Sequence, residues 1–480
     1  MKPYSLILLS LLALPLSGCL SPSYEIPTLP APAPAEYKNL GEWVQVNPKS
    51  VLQRTSWWTL FQDDGLTRLM QDLNSANQNI AVAAANYRKA RAETAAARAG
   101  FIPTVDGTGS ISRGSTDTTG SSVISESYKF GGSVKWEASL WNTITAYESA
   151  SATESASAAD YAAMKLAMQA ELAQTYFQLR ALDVQIGLYE STIATFAKAV
   201  QLTRSQFQGG MVTAADVAQA ETQLASAEAQ LADLNRQRAG LETGIALLTG
   251  RMPSTFSLER GPLVATVPAI PTALPSALLE RRPDIAAAER RVAAANEGIG
   301  AARAGWLPSL FLGADASKSG AALFSAPITV WSLGPSAAIN LLNGGKTIAK
   351  TDAAWASFEA TAAQYRQTVL QGFKEVEDNL AALRHLGVQA EAQERAVRAS
   401  QMALRLSLSQ YQGGLTTYLQ VVNTQTAALT NERSAIQVQG QRLVAAVMLV
   451  KALGGGWDTA AIGEVMQGKG PQEGVTERRW

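Results

Sequence analysis

Gln206-Phe207-Gln208-Gly209-Gly210-Met211-Val212-Thr213 and Gln410-Tyr411-Gln412-Gly413-Gly414-Leu415-Thr416-Thr417 decide the fold. In each stretch a long helical pattern runs into a Gly-Gly pair, and a second helical pattern starts at once. Glycine enters the left-handed conformation at a helix end without steric cost, so each pair predicts a tight helix-turn-helix. Because the unit occurs twice, the chain reads as an internal duplication.

The duplication extends outward from the turns. Ala96-Ala97-Arg98-Ala99-Gly100-Phe101-Ile102-Pro103 is echoed by Ala301-Ala302-Arg303-Ala304-Gly305-Trp306-Leu307-Pro308. Glu171, Leu179 and Arg180 are matched by Glu375, Leu383 and Arg384. Residues 142–208 hold no proline and only Gly187; residues 347–412 hold no proline, with Gly372 and Gly387. Each stretch predicts a helix on the order of 100 Å at ~1.5 Å per residue, far beyond the average of about 11–12 residues. Return helices are expected over 214–248 and 418–453.

Upstream of each long helix the period changes from helical to alternating. Tyr128, Phe130, Val134, Trp136, Ala138 and Leu140 share one face; Lys129, Ser133, Lys135, Glu137 and Ser139 share the other. Val105, Gly107, Gly109 and Ile111, alternating with Thr104, Asp106, Thr108 and Ser110, supply a partner strand, with a Ser/Thr/Gly-rich loop expected over about 114–127. The second half repeats the hairpin with Leu310, Leu312, Ala314 and Ala316, then Trp331, Leu333, Ala337, Ile339 and Leu341. A half-buried soluble sheet gives this alternation, and so do transmembrane strands of roughly 9–11 tilted residues.

The N-terminus favours the second reading. Lys2, an apolar run from Leu6 to Leu16, and Leu16-Ser17-Gly18-Cys19 form an export signal too short to span a membrane as a helix. The end of that run resembles the lipobox of bacterial lipoproteins, which implies a covalent lipid on Cys19, the sole cysteine. Residues 22–37 are rich in Pro and Ala and read as an extended tether. Four strands cannot close in lipid, where open edges are not tolerated, so several copies must combine. A dimer would give eight strands with a filled interior, a trimer twelve with an aqueous lumen.

Composition excludes other classes. Forty basic and forty acidic residues leave no net charge and no nucleic-acid footprint. One histidine, His385, and one cysteine provide neither a metal cluster nor an internal disulfide, and no cofactor beyond the lipid is expected. No nucleophile-base set or phosphate loop appears, so an enzyme is not expected. Glu375, Glu377 and Asp378 read as a solvated helix face.

Leu278-Leu279-Glu280-Arg281-Arg282-Pro283-Asp284-Ile285, with Ala288-Glu289 and the run Ala294 to Ala304, resembles the outer-membrane efflux factors of the TolC/OprM type. The Trp57 to Asp63 run, both Gly-Gly turns and the duplication also fit. The resemblance implies a mainly α chain with a membrane β-barrel portion, trimerising into a twelve-strand barrel and a twelve-helix periplasmic tunnel. It implies a homotrimer in outer-membrane lipid, working with a periplasmic adaptor and an inner-membrane efflux transporter as a passive exit duct for small molecules. A type I secretion or metal-efflux duct, or a non-conducting coiled-coil envelope lipoprotein, are the alternatives.

The resemblance also places sites. Adaptor contact falls on Gly209, Gly210, Met211, Val212 and Thr213, and on Gly413, Gly414, Leu415, Thr416 and Thr417. The gate falls just past the second turn, where relatives carry an Asp and an Arg; here Asn423 and Thr426 stand at those places. The expectation is a ring of Leu419 backed by neutral hydrogen bonds from Asn423, with no ionic lock. Domain boundaries follow: signal 1–18, tether 19–55, first repeat 56–255 with a hairpin at about 101–141, linker 256–275, second repeat 276–456 with a hairpin at about 306–341, polar tail 457–480.

Overall fold

The computed structural model describes residues 20–29, 32, 34, 37–39, 56–118, 121–264, 266–268, 281–320, 328–455 and 457. The export signal, Cys19 and the tail from 458 onward lie outside the described residues. A short 3-10 turn, Trp57–Phe61, leads into helices α1 (Asp64–Ala76) and α2 (Gln78–Ala99). Strands β1 (Thr104–Thr118) and β2 (Ser121–Glu137) follow, then α3 (Leu140–Gln208) and α4 (Ala214–Leu248). The second repeat runs α5 (Pro283–Ala304), β3 (Ser309–Gly320), β4 (Ile328–Ala338), α6 (Lys346–Gln412) and α7 (Tyr418–Ala452). Helices α3 and α6 are continuous over 69 and 67 residues, as the missing breakers predict.

The chain divides into two compact units. One holds residues 86–158 and 287–367 with the start of the chain. Its sheet has four antiparallel strands in sequence order, β1-β2-β3-β4. The loop expected over 114–127 is instead paired strand: Gly114 opposes Ser125, and pairing continues to Thr118 opposite Ser121. Ser and Thr are compatible with a pleated strand, and cross-strand partners hold this polar end together. Ser112 Oγ lies 2.8 Å from Ser127 Oγ, Ser115 Oγ 2.7 Å from Ser122 Oγ, and Arg113 pairs with Glu126 at 3.5 Å. The second hairpin closes earlier than expected. β4 ends at Ala338, and Ile339, Leu341 and Leu342 are exposed beyond it, before Gly344 and Gly345 adopt positive φ and admit α6.

The tether is not free in its first third. Arg303 Nη1 donates to the Leu20 carbonyl at 3.3 Å, Asn296 Nδ2 to the Pro22 carbonyl at 2.9 Å, and Arg366 Nε to the Thr28 carbonyl at 2.9 Å. Side chains of α5 and α6 supply the partners that the backbone of these residues lacks.

The other unit holds residues 29–85, 159–286 and 368–480. Its core gathers Trp57, Trp58, Phe61, Leu66, Met70 and Leu73 around Phe177, whose ring centroid lies 4.9 Å from that of Phe61. Asp63 caps α1 through the Leu66 N–H at 2.9 Å and also accepts from the Tyr176 hydroxyl at 2.8 Å. Asn77 divides the helical stretch after Asp63 into α1 and α2. Its Nδ2 donates to the Leu248 carbonyl at the end of α4, and its Oδ1 accepts from the Ile80 N–H at the start of α2. An Asn side chain that satisfies two orphaned helix ends outcompetes one uninterrupted ladder.

The described part of the linker is packed rather than loose. Asp183 accepts from Arg180 at 2.9 Å and Arg238 at 2.7 Å, and these arginines donate to the carbonyls of Glu259 and Leu258. Arg282 is nearly buried and holds Asp284 at 2.6 Å, Glu375 at 2.8 Å and the Ala452 carbonyl at the end of α7 at 3.0 Å. Glu377 accepts from the Lys38 and Asn39 backbone N–H groups. Of the three carboxylates assigned to a solvated face, only Asp378, paired with exposed Lys374, stays there; Glu375 and Glu377 fasten other segments.

Candidate functional site

Two places carry the functional geometry: the sheet, and the ends of the long helices. The register places Val105 opposite Val134, Gly109 opposite Phe130 and Ile111 opposite Tyr128. It then continues the apolar row from Trp136 to Leu312 and from Ala314 to Leu333. Four strands therefore present one largely apolar face, interrupted by Lys318 beside Phe130, on which Val105 and Leu333 are each 77% exposed and Trp331 74%. Exposed apolar area on this scale marks an interaction surface. The reverse face carries Asp106, Ser133, Lys135, Asp315 and Ser317 in paired register, though β4 adds Ile328 and Val330 there.

Strands β3 and β4, of 12 and 11 residues, match a bilayer crossing of about 9–11 tilted residues. β1 and β2, of 15 and 17, exceed it at the polar end held by the Ser–Ser contacts. β1 and β4 each pair on one side only within the chain, leaving two edges whose backbone groups need partners.

At the opposite end of α3 and α6 the two turns share one geometry. The Met211 N–H donates to Gln206 O at 2.9 Å, and the Leu415 N–H to Gln410 O at 2.8 Å. Gly210 and Gly414 take φ of 71° and 72°. Each is a Schellman turn, and in each the second glycine alone is left-handed. Gly209 and Gly413 continue the helix through N–H donation to Ser205 and Ser409. Met211 and Leu415 project outward, 72% and 82% exposed.

The turns differ in what holds them. Thr213 and Asp216 form a reciprocal capping box at the start of α4, whereas Thr417 makes no side-chain cap at the start of α7. Arg204 donates through Nε and Nη2 to Glu221, joining α3 to α4. In the second repeat Leu408 and Gln425 stand at the equivalent positions, and the helices are joined nearer the turn by Tyr411 and Tyr418, whose rings lie 5.7 Å apart. Tyr411 also donates to Gln206 at 2.9 Å, tying the two hairpins together beside the packed Val200, Ala220, Val421 and Val422. Burial pushes the Tyr418 hydroxyl up from its ordinary pKa, with Tyr411 and Asp216 adding to the shift.

Leu419, Asn423 and Thr426 fall on one exposed stripe of α7, opposite the buried Tyr418, Val421, Val422 and Gln425. Asn423, Thr426 and Thr430 of α7 and Gln219 and Gln223 of α4 line an open groove of about 490 Å³ without a charged side chain. The Arg204–Glu221 pair and the Tyr411–Gln206 bond were not singled out from sequence.

A sheet with an apolar face and two open edges, joined to helices of this length, is the geometry of a membrane channel component. The outer membrane efflux protein family matches residues 69–251 and 274–455, and the chain belongs to that family. It is 31% identical over 472 residues to the solvent efflux pump outer membrane protein SrpC of Pseudomonas putida, covering 96% of this chain and 100% of that protein. It is 28% identical over 453 residues to the cation efflux system protein CusC of Escherichia coli, covering 93% and 97%. The outer-membrane channel OprN superposes with a TM-score of 0.83 at 28% identity, covering 92% of this chain and 100% of that one. The chain is therefore an outer-membrane component of efflux, the exit duct of an efflux pump.

Proposed function

We propose that three copies close edge to edge into one barrel continued by a helical tunnel, passively conducting small molecules delivered by an inner-membrane transporter through a periplasmic adaptor. The chain does no chemistry of its own. The observation that carries this reading is the open four-stranded sheet with its largely apolar face. Lipid excludes unpaired backbone edges, and twelve strands are the smallest multiple of four that leaves a wet lumen. Lipid on Cys19 would anchor each copy.

The exposed turns, Gly209 to Thr213 and Gly413 to Thr417, are the adaptor contacts in this reading. Leu419 narrows the tip, with Asn423 and Thr426 giving neutral hydrogen bonds where relatives use charge. The relatives named for solvent and for cation efflux are both similar along nearly the whole chain, so selectivity belongs to the pump. Native mass spectrometry of the detergent-extracted protein tests the assembly. Three copies support the reading, whereas a dimer or monomer that retains the sheet overturns it. Photo-crosslinkers at Met211 and Leu415 should capture the adaptor, and capture only at positions within the sheet unit would remove the tip from the docking site.

A further inference from the structure

The first segment of the mature chain makes more contacts than a tether needs. Ser21 Oγ donates to Glu297 at 2.7 Å, and the Tyr24 hydroxyl donates to Glu289, whose carboxylate also holds Arg290. The Arg290 guanidinium lies 5.9 Å from the Tyr24 ring centre. Together with the bonds to the carbonyls of Leu20, Pro22 and Thr28, these contacts lay residues 20–24 along α5 and hold Thr28 against α6. Gly300 makes the seat possible. A Cβ there would overlap Ser21 Oγ and come within 2.9 Å of its backbone nitrogen. The seat ends at Arg303 in the last turn of α5, just before β3 begins at Ser309.

We infer that residues 20–28 act as a strap that shortens the leash between the lipid on Cys19 and the sheet, holding the sheet at the membrane surface for insertion. This rests on the lipid reading of Cys19. With the strap seated, Cys19 is one peptide, about 3.8 Å between Cα atoms, from a fixed residue. With it released, at least the nine residues 20–28 come free, and a flexible chain of nine has an end-to-end distance of roughly 17 Å. Effective concentration falls as about the −3/2 power of linker length, so releasing the strap lowers the local concentration of sheet at the bilayer by tens-fold.

Two variants test this in the full-length protein in cells. Gly300→Leu unseats the strap; an eight-residue Gly/Ser insertion between Cys19 and Leu20 leaves it seated but lengthens the leash. Hydrogen exchange of residues 20–28 reports seating, the intact mass of the mature chain reports the lipid, and pulse-chase protease protection in outer membranes reports barrel insertion. With the lipid present, each variant should slow insertion roughly 30-fold, and the double variant about two- to threefold more. Insertion at the unmodified rate by the Gly/Ser variant, its strap still protected and its lipid present, overturns the leash and leaves Gly300 a packing role. A mature chain without lipid on Cys19 overturns the anchor and the leash together, while exchange still reports the seat.

Discussion

Within each Gly-Gly pair the two glycines should respond to alanine in opposite directions. Gly210 sits at φ 71° with nothing within 4 Å of where a Cβ would stand, so Gly210→Ala meets backbone strain and no clash. A non-glycine residue in that conformation costs about 1–2 kcal/mol. Gly209 lies at the helix end with its N–H still bonded to Ser205, and its added Cβ would be close only to the Cε at the end of the Met211 side chain, at 3.3 Å, with the Gln206 and Ser205 carbonyls at an ordinary 3.6 Å. Glycine there forgoes roughly 0.5–1 kcal/mol of helix stability, so Gly209→Ala should be neutral to slightly stabilising. A 1 kcal/mol change alters local opening by about fivefold, since ~1.4 kcal/mol is tenfold. Hydrogen exchange of peptides spanning 200–222 should speed about fivefold in Gly210→Ala and hold or slow in Gly209→Ala. Gly414→Ala and Gly413→Ala should repeat the pattern. Equal effects at both glycines, or slower exchange in Gly210→Ala, would refute the assignment of the left-handed residue.

Arg282→Ala leaves Glu375 and the end of α7 without a partner in a nearly buried setting and should cost about 3 kcal/mol, read as a lower unfolding midpoint, with Arg282→Lys restoring less than half. Burial, with the Arg180 bond opposing it and the Asp63 bond adding to it, raises Tyr176 from 10.0 to about 12. A tyrosine with a raised folded pKa contributes stability that is complete below pH 10 and lost as pH climbs toward 12. Tyr176→Phe should flatten that alkaline decline in a thermal-melt pH series. Arg204 and Glu221 are 61% and 46% exposed, so breaking their pair should cost under ~1 kcal/mol, and 1 M salt should erase the difference.

Much of this architecture is legible in the sequence because its elements are extreme. A stretch of sixty-odd residues without proline admits few alternatives to one helix, and both return helices begin where the Gly-Gly pairs place them. Alternation in Tyr128 to Leu140 identified β2 and its apolar face as far as Glu137, but Leu140 begins α3, whose helical turn takes over where the strand pairing ends. Elsewhere composition misled. Ser, Thr and Gly over 114–127 suggested a loop, but serines paired across a hairpin satisfy each other as well as water does. Asn77 ends a helix through two long-range hydrogen bonds, and Gly300 receives Ser21 from 279 positions away, contacts no local pattern encodes. The stripe Leu419, Asn423, Thr426 was legible as a helix face with its charges missing. The Arg204–Glu221 pair was hidden because neither residue alone is unusual.

Single-channel conductance of the purified protein in planar bilayers tests the duct and its neutral gate most directly. Reconstituted protein should give small openings that are insensitive to pH between 5 and 8, because the stripe holding the tip has no titrating group. Leu419→Ser should raise conductance severalfold, with a smaller rise for Asn423→Ala. Absence of any channel in either variant would contradict the duct, and openings that grow sharply at low pH, or an unchanged conductance in Asn423→Ala, would contradict the neutral gate.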